Sequence, residues 1–575
     1  MQRIKALKWI LVALMGAITV RLFAIQIIDY DYWVAKANSE HTLLQTITAK
    51  RGNIYMMDGN EPAVVVLNQT VYNVITDPAM ADLDKIQAVL EKYAKEYITA
   101  DFDKLREMEG VRYYIIAKRM PKTVAEQVQS EGLSYIYFRE ENKRVYPEGT
   151  MASTLLGFVN ADGLGQYGIE GSLNGRLKGT DGVLKTIADV NKVALSIGDD
   201  NIKIPAVDGE DVVLTIDRNV QKRAEEILAS AVENRKGANA AAIVMNPNTG
   251  EVMAMASAKN YDPADYGNVK DASAYINYTT EDPYEPASVC KTFVFTAAVN
   301  EGVMTPETTY NNTGSEVVDG FKINNAYRGL YGTITLQRGF NYSLNTSSMY
   351  ALKLLGGDKN SINETGRNKL YDYLYNRFGF GQGTGIEIYE APGIVRAPND
   401  GYAMDLTYAN MTFGQGISMT TIQLATAFST VVNGGYYRTP TVVKGKIVNE
   451  KVVADERDDL KEEQVISSET SATMREMLWG TRSLQRTRGI DKNGYYIGGK
   501  TGTGQVVVNG AYSAADGETL ASYAGFGGVK DELPKYVIVV RIWGEGYHMT
   551  GDNDAKPIFN SLSDYMIDYL KIQPK

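Results

Sequence analysis

The longest apolar run in the chain comes first. Residues 9–28 are nearly uninterrupted hydrophobic positions, about the length a helix needs to span a bilayer. Arg3, Lys5 and Lys8 precede the run and Asp29 and Asp31 follow it, which predicts residues 1–8 on the cytoplasmic side and the bulk of the chain outside. No small-residue cleavage site follows, so an uncleaved anchor is expected. Arg21 lies inside the span, where it would snorkel to the surface or face a partner helix. Further on, Lys50-Arg-Gly-Asn-Ile-Tyr55 followed by Asp58-Gly59 predicts strand, turn, strand. Residues 211–217 predict a strand, and apolar positions at helical spacing carry a helix on through Leu228. Residues 241–245 and 252–256 flank Asn246-Pro-Asn-Thr-Gly250 as a hairpin would. Residues 288–300 read as a helix that Pro286 can start and Gly302 can stop. Residues 496–508, 522–526 and 536–543 predict three strands, with a covering helix over 557–572. Strands at both ends around a mostly helical middle give an α+β fold, a sheet flanked by helices. The expected division is 1–8, a membrane anchor at 9–28, a non-catalytic region at 29–207 and a main domain at 208–575.

Composition narrows the chemistry. The 575 residues suffice for several domains, and a net charge of −10 argues against a nucleic-acid partner. The single cysteine, Cys290, excludes an intrachain disulfide and a cysteine-based structural zinc site. Only two histidines occur, His41 and His548, and neither lies in a recognisable triad motif. Lysine is therefore the better candidate base, and no cofactor or metal is expected. Residues 455–463 are charge-rich and read as a solvated loop.

One stretch carries a lysine in the right place. In Tyr284-Glu-Pro-Ala-Ser-Val-Cys-Lys291, Ser288 and Lys291 are three apart, so on a helix they share a face. A serine hydroxyl needs a neighbouring base to become a nucleophile, and a lysine serves if burial and nearby charge lower its pKa. S-x-x-K alone is a common pattern. It is followed here by Ser343-Leu-Asn345 and by Lys500-Thr-Gly-Thr503. Those three motifs in that order are the set of penicillin-binding proteins and class A β-lactamases. The chain resembles a class B penicillin-binding protein, the monofunctional peptidoglycan D,D-transpeptidase, in its division and sporulation branch. Arg21-Leu22, the Arg51-Gly52 turn, Arg144-Val-Tyr-Pro147, Tyr167-Gly-Ile-Glu170 and Phe413-Gly-Gln-Gly416 carry the resemblance outside the three motifs. It departs where Met56-Met57 replaces Asp-Arg, and where Ala287-Ser-Val-Cys-Lys291 replaces Gly-Ser-Thr-x-Lys. Ala287 has less backbone freedom than glycine. Cys290, turned away from nucleophile and base, is expected to be a packing thiol, and Arg144 and Glu170 structural ion partners.

The resemblance implies a penicillin-binding transpeptidase domain on an elongated pedestal behind one transmembrane helix. It implies Ser288 as nucleophile, Lys291 as base, Ser343 as proton relay, Asn345 on the substrate amide and Lys500 as positive potential. Backbone N–H groups of Ser288 and Thr503 would hold the oxyanion, the Thr501 and Thr503 hydroxyls a terminal carboxylate, and Gly502 would let substrate backbone lie close. Peptidoglycan stem peptides ending in D-Ala-D-Ala would be substrates and β-lactams covalent inhibitors. A SEDS-type membrane glycosyltransferase and other division proteins would be partners. A carboxypeptidase or β-lactamase would use the same motifs with water as acceptor, and an inactive β-lactam-sensing scaffold would retain the fold. Gly494-Tyr-Tyr-Ile-Gly-Gly-Lys-Thr501 also spells a phosphate-binding loop. Polar residues 491–493 precede it and a strand pattern follows it, the reverse of what such a loop needs.

Overall fold

The computed structural model describes residues 2–33, 42–187, 202–402, 404–457, 459–484, 494–505, 507–508, 511–512 and 518–575. His41 and residues 491–493 of the preceding section lie outside them. Contacts divide the chain into two compact units, one of Met1–Gly52 with Lys178–Glu210, the other of Asn53–Leu177 with Asp211–Lys575. The first contains helix α1 (Gln2–Phe23), continued as a π-turn over Ala24–Ile28. Its span Arg3–Ile28 has a mean hydropathy of 2.2, long and apolar enough to cross a membrane. Trp9, Ile10 and Met15 on it are exposed. The same unit holds a small antiparallel sheet of Thr42–Ile47, Gly182–Ile187 and Ile202–Ile204.

The second unit is built on two larger sheets. Strands β1 (Ile54–Asp58) and β2 (Glu61–Thr76) form the expected hairpin around Gly59, and β3 (Tyr114–Pro121) and β4 (Ile136–Val145) pair with opposite edges of β2. β5 (Val212–Asp217) lies parallel to β1, its register set by Val212 opposite Ile54. Asp217 then caps helix α2 (Arg218–Val232), its carboxylate accepting from the N–H groups of Asn219 and Val220. Strands β6 (Asn239–Met245) and β7 (Val252–Ser257) are the predicted hairpin. Helix α3 (Lys291–Asn300) is followed by α4 (Asn345–Leu355) and by α5 (Thr421–Val432), which is buried at every position. β8 (Val443–Val448) and β9 (Lys451–Ala454) complete the first sheet in the order β9-β8-β5-β1-β2-β3. Helix α6 (Ser468–Leu484) leads to β10 (Tyr496–Gln505), β11 (Thr519–Gly528), β12 (Tyr536–Trp543) and helix α7 (Lys556–Tyr569).

The second sheet runs β7-β6-β12-β11-β10, so strands from both ends of the unit close one sheet and β10 is an edge. Its strands are buried on both faces, as helices on each side require. α2 and α7 cover one face with Val220, Leu228, Phe559 and Leu562. The other face packs on the core that contains α3, α4, α5 and α6. This is the expected α+β arrangement.

Two local expectations change. The predicted strand 496–508 ends at Gln505, and Val507–Val508 pairs separately with Ala511–Tyr512. In the charge-rich stretch 455–463, residues 456 and 459–463 are exposed as expected, but Asp455 and Arg457 are tied to distant partners. Asp455 takes both guanidinium nitrogens of Arg176, at 2.6 and 3.2 Å, and Arg457 binds Glu387 at 2.6 Å, with both arginines half-buried. Charge density in sequence hid long-range partners. The expected Arg144–Glu170 pair is present at 2.7 Å, its side chains 6 % and 0 % exposed.

Candidate active site

The site forms where the loop before α3 passes under the edge strand. Ser288 is not in the α-helix proper. Ala287–Cys290 is a single 3-10 turn leading into Lys291, so the predicted helix begins one turn later than Pro286 suggested. The reason lies in Ala287, whose φ of 52° no helix accommodates. The left-handed backbone is held from both sides. Ala287 N–H donates to the Gly414 carbonyl at 3.2 Å, and a Cβ on Gly414 would stand 2.1 Å from the Ala287 oxygen. Ser343 is likewise left-handed, with φ 55°, at the turn before α4. Strained backbone of this kind persists where the surroundings over-determine it.

Three separate segments meet, with Lys291 and Lys500 both bonded to Ser343. Lys291 Nζ lies 2.8 Å from Ser288 Oγ, 2.7 Å from the Ser343 carbonyl, 3.2 Å from Ser343 Oγ and 2.8 Å from Asn345 Oδ1. Lys500 Nζ reaches Ser343 Oγ from the opposite side at 2.9 Å and the Thr501 carbonyl at 3.2 Å. Asn345 is fixed by donating Nδ2–H to the Asn324 carbonyl at 2.9 Å. Both lysine side chains are fully buried. Burial, and second the Lys500 charge, hold Lys291 well below the usual lysine value. Burial brings Lys500 down to about 8, with Asp552 acting against it.

Hydrogen-bond bookkeeping then orients Lys291. The Ser343 carbonyl and Asn345 Oδ1 can only accept, so a neutral amine donates its two protons to them. Its lone pair is left for the Ser288 hydroxyl, which donates to it. Such an arrangement suits removal of a proton from Ser288, with Ser343 bridging Lys291 to Lys500.

The remaining sequence candidates fall as follows. Thr501 is buried in β10, and Thr503, exposed, accepts from the Gly551 N–H through Oγ1 at 3.0 Å. Gly502 has a different physical reason from the one expected. A Cβ there would meet Ser522 Oγ at 2.3 Å and the Pro286 carbonyl at 2.4 Å, so the missing side chain makes room for the nucleophile segment. Cys290 is fully buried and burial pushes its thiol upward, as a packing role requires. Lys500-Thr501 lies inside a strand rather than at a helix start, so no phosphate-binding nest forms there. Among the described residues no cluster of His, Cys, Asp or Glu could hold a metal.

Sequence reading missed the clamp on the nucleophile segment. Arg541 donates to the Asp282 carbonyl at 2.9 Å and to its carboxylate at 2.5 Å. Its guanidinium lies 4.4 Å from the Tyr284 ring centre and 4.0 Å from that of Trp543. The available signal was a lone cation inside the apolar strand Tyr536–Trp543.

A family model of the penicillin-binding protein transpeptidase domain matches residues 240–564, and one of the penicillin-binding protein dimerisation domain matches residues 46–214. The chain belongs to the class B penicillin-binding proteins. Its relatives are of the division and sporulation type. It is 31 % identical over 463 residues to stage V sporulation protein D of Bacillus subtilis, covering 80 % of this chain and 69 % of that one. It is 26 % identical over 577 residues to the peptidoglycan D,D-transpeptidase FtsI of Escherichia coli, covering 96 % and 89 %. The mycobacterial penicillin-binding protein PbpB of Mycobacterium tuberculosis is 29 % identical, with 74 % of this chain and 62 % of that one covered. Penicillin-binding protein 2X of Streptococcus thermophilus shares the fold with a TM-score of 0.73 at 24 % identity, covering 92 % of this chain and 80 % of that one. This penicillin-binding protein therefore has the transpeptidase fold and an N-terminal dimerisation-type region. Its apolar N-terminal helix fits a membrane anchor.

Proposed function

We propose that this penicillin-binding protein crosslinks peptidoglycan stem peptides by a serine acyl-enzyme, in septal or sporulation wall synthesis. Lys291 takes the Ser288 proton as Oγ adds to the carbonyl of the penultimate D-Ala. The N–H groups of Ser288 and Thr503 hold the oxyanion, a term typically worth about 3–4 kcal/mol per donor. Collapse breaks the peptide C–N bond, and Ser343 delivers a proton to the departing D-Ala amine. The amine of a second stem then attacks the ester, forms the crosslink and returns the proton to Ser288. Lys500 with the Thr501 and Thr503 hydroxyls receives the terminal carboxylate, and Asn345 holds the donor amide.

The observation that carries this reading is the Lys291 amine, 2.8 Å from Ser288 Oγ, with its two protons committed elsewhere. Anchoring by residues 9–28 with the N-terminus cytoplasmic, a pedestal at 29–207 and a catalytic domain at 208–575 complete the proposal. A SEDS-type glycosyltransferase and other division proteins are its partners. The test is incubation with a labelled penicillin and an intact-mass measurement, with Ser288→Ala alongside. One stable adduct, absent from the variant, is expected. Antibiotic turnover without an adduct would make the protein a hydrolase, and neither adduct nor turnover would make it a scaffold.

A further inference from the structure

Behind Asn345 lies a set of buried polar side chains that the reaction itself does not use. Asn312, Asn325 and Thr346 are all buried, and each of their side-chain polar atoms is paired. Asn325 Oδ1 accepts from the Thr346 N–H at 3.0 Å, and its Nδ2 donates to Thr346 Oγ1 at 3.1 Å and to Asn312 Oδ1 at 3.0 Å. Thr346 Oγ1 donates its one proton to Asn312 Oδ1 at 2.9 Å, so the Tyr310 hydroxyl, 3.1 Å away, donates to Thr346. Asn312 in turn donates to the Leu330 carbonyl at 2.6 Å. Each of the two amides therefore has one orientation, because turning either would set N–H against N–H and oxygen against oxygen. Asn325 also supplies what α4 lacks. Leu344 makes no side-chain cap, and the Thr346 N–H sits in the first turn, where helix N–H groups have no partner of their own.

The consequence falls on the residue before each partner. Asn325 follows Asn324, whose carbonyl accepts from Asn345 Nδ2, and Thr346 follows Asn345. Residues 324–325 and 345–346 are thus cross-bonded, which leaves Asn345 Oδ1 facing Lys291 Nζ at 2.8 Å. With the Asn324 carbonyl released, the Asn345 amide can turn and the Lys291 amine loses an acceptor. One of its protons can then point at Ser288 Oγ in place of the lone pair. A packing role alone would be met by apolar side chains, without the cost of burying two amides. We infer that Asn325 and Thr346 are positioning residues for acylation, holding the Asn324 carbonyl and the Asn345 amide so that the Lys291 lone pair is kept for Ser288. The inference rests on the transpeptidase reading and concerns its first step.

The test follows acylation of the full chain in detergent by a fluorescent penicillin across pH, with thermal denaturation alongside. Thr346→Val keeps the shape and removes the hydroxyl, Thr346→Ser keeps the hydroxyl, and Asn325→Leu removes the whole amide. Thr346→Val and Asn325→Leu should lower the plateau rate about 10- to 100-fold, as a small misplacement at the reacting atoms does. The Asn345 oxygen holds a protonated Lys291 more strongly than a neutral one, so its loss should also move the rise of the rate to lower pH. The other titratable groups facing Lys291 are Lys500 on β10 and Cys290 beside it, and no variant alters either. Thr346→Ser should keep both the rate and the profile. An unchanged rate in Thr346→Val, a slower rate with the profile unmoved or moved to higher pH, or Thr346→Ser no faster than Thr346→Val each overturns the inference, while acylation of the wild type leaves the transpeptidase reading standing. If Asn325→Leu does not fold, the two substitutions at Thr346 decide alone. Absence of acylation in the wild type overturns that reading and this inference together.

Discussion

Gly502→Ala tests the packing under the edge strand. The new Cβ would stand 2.4 Å from the Pro286 carbonyl and 2.3 Å from Ser522 Oγ, with Val289 Cγ2 at 3.2 Å. The Ser522 hydroxyl can rotate away, at the loss of its hydrogen bond to that same carbonyl. The carbonyl cannot turn, because the next residue is held left-handed by Gly414. It must recede by about 0.6 Å, the gap between 2.4 Å and the 3.0 Å below which real Cβ atoms are not found. Overpacking of this kind costs about 1–3 kcal/mol. Pro286 is two residues from Ser288, so the displacement moves the nucleophile against Lys291 and the oxyanion donors. A misplacement of about 1 Å lowers rates on the order of 100-fold, so a shift of this size should slow acylation by roughly 10- to 100-fold. Stopped-flow acylation by a fluorescent penicillin gives the rate, and thermal denaturation gives the stability. Wild-type acylation at wild-type stability would refute the packing account of Gly502.

Three other outcomes are expected. Acylation should rise with pH as Lys291 loses its proton, at a pH well below the ordinary lysine range because burial lowers it. Lys500→Gln removes the second cause of that lowering, so the rise should move to higher pH, and a profile left in place would count against the coupling. Glu225 is half-buried on α2, accepts from the Ala152 N–H at 2.8 Å, and is raised by desolvation to about 7. Its folded pKa exceeds the unfolded value of 4.5, so its protonated form contributes stability in full below 4.5 that is lost as pH rises through 7. Urea denaturation across that window should therefore be flatter in Glu225→Gln than in the wild type. Glu170→Ala leaves Arg144 buried without its carboxylate, an effect of about 3–5 kcal/mol, and an unchanged denaturation midpoint would exclude it.

What the sequence made legible was whatever depends on local period or on short motifs. The hairpin at 246–250, the strand and helix on either side of Asp217 and the closing helix follow from apolar spacing and turn chemistry. Ser288, Lys291, Ser343, Asn345 and Lys500 follow from three short motifs, and all five meet within hydrogen-bonding distance. What stayed hidden depends on residues distant in sequence. The delay of the helix before Lys291 comes from Gly414, and the glycine at 502 answers to Pro286. Arg541 reads as a stray charge until Asp282 and the two aromatic rings are beside it. Asp455 reads as solvated until Arg176 is found.

The order of strands in the second sheet also sets when reactivity appears during synthesis. β6 and β7 leave the ribosome early but pair with β12, and the edge beside Ser288 is supplied by β10. Ser288 is thus made more than two hundred residues before Lys500. A nascent chain holds the nucleophile as an ordinary alcohol, with Lys291 solvated, protonated and unable to act as its base. Penicillin labelling of the protein is then a stopwatch for the closing of this sheet: truncated or stalled chains should stay dark, and the signal should appear only once the C-terminal strands have docked.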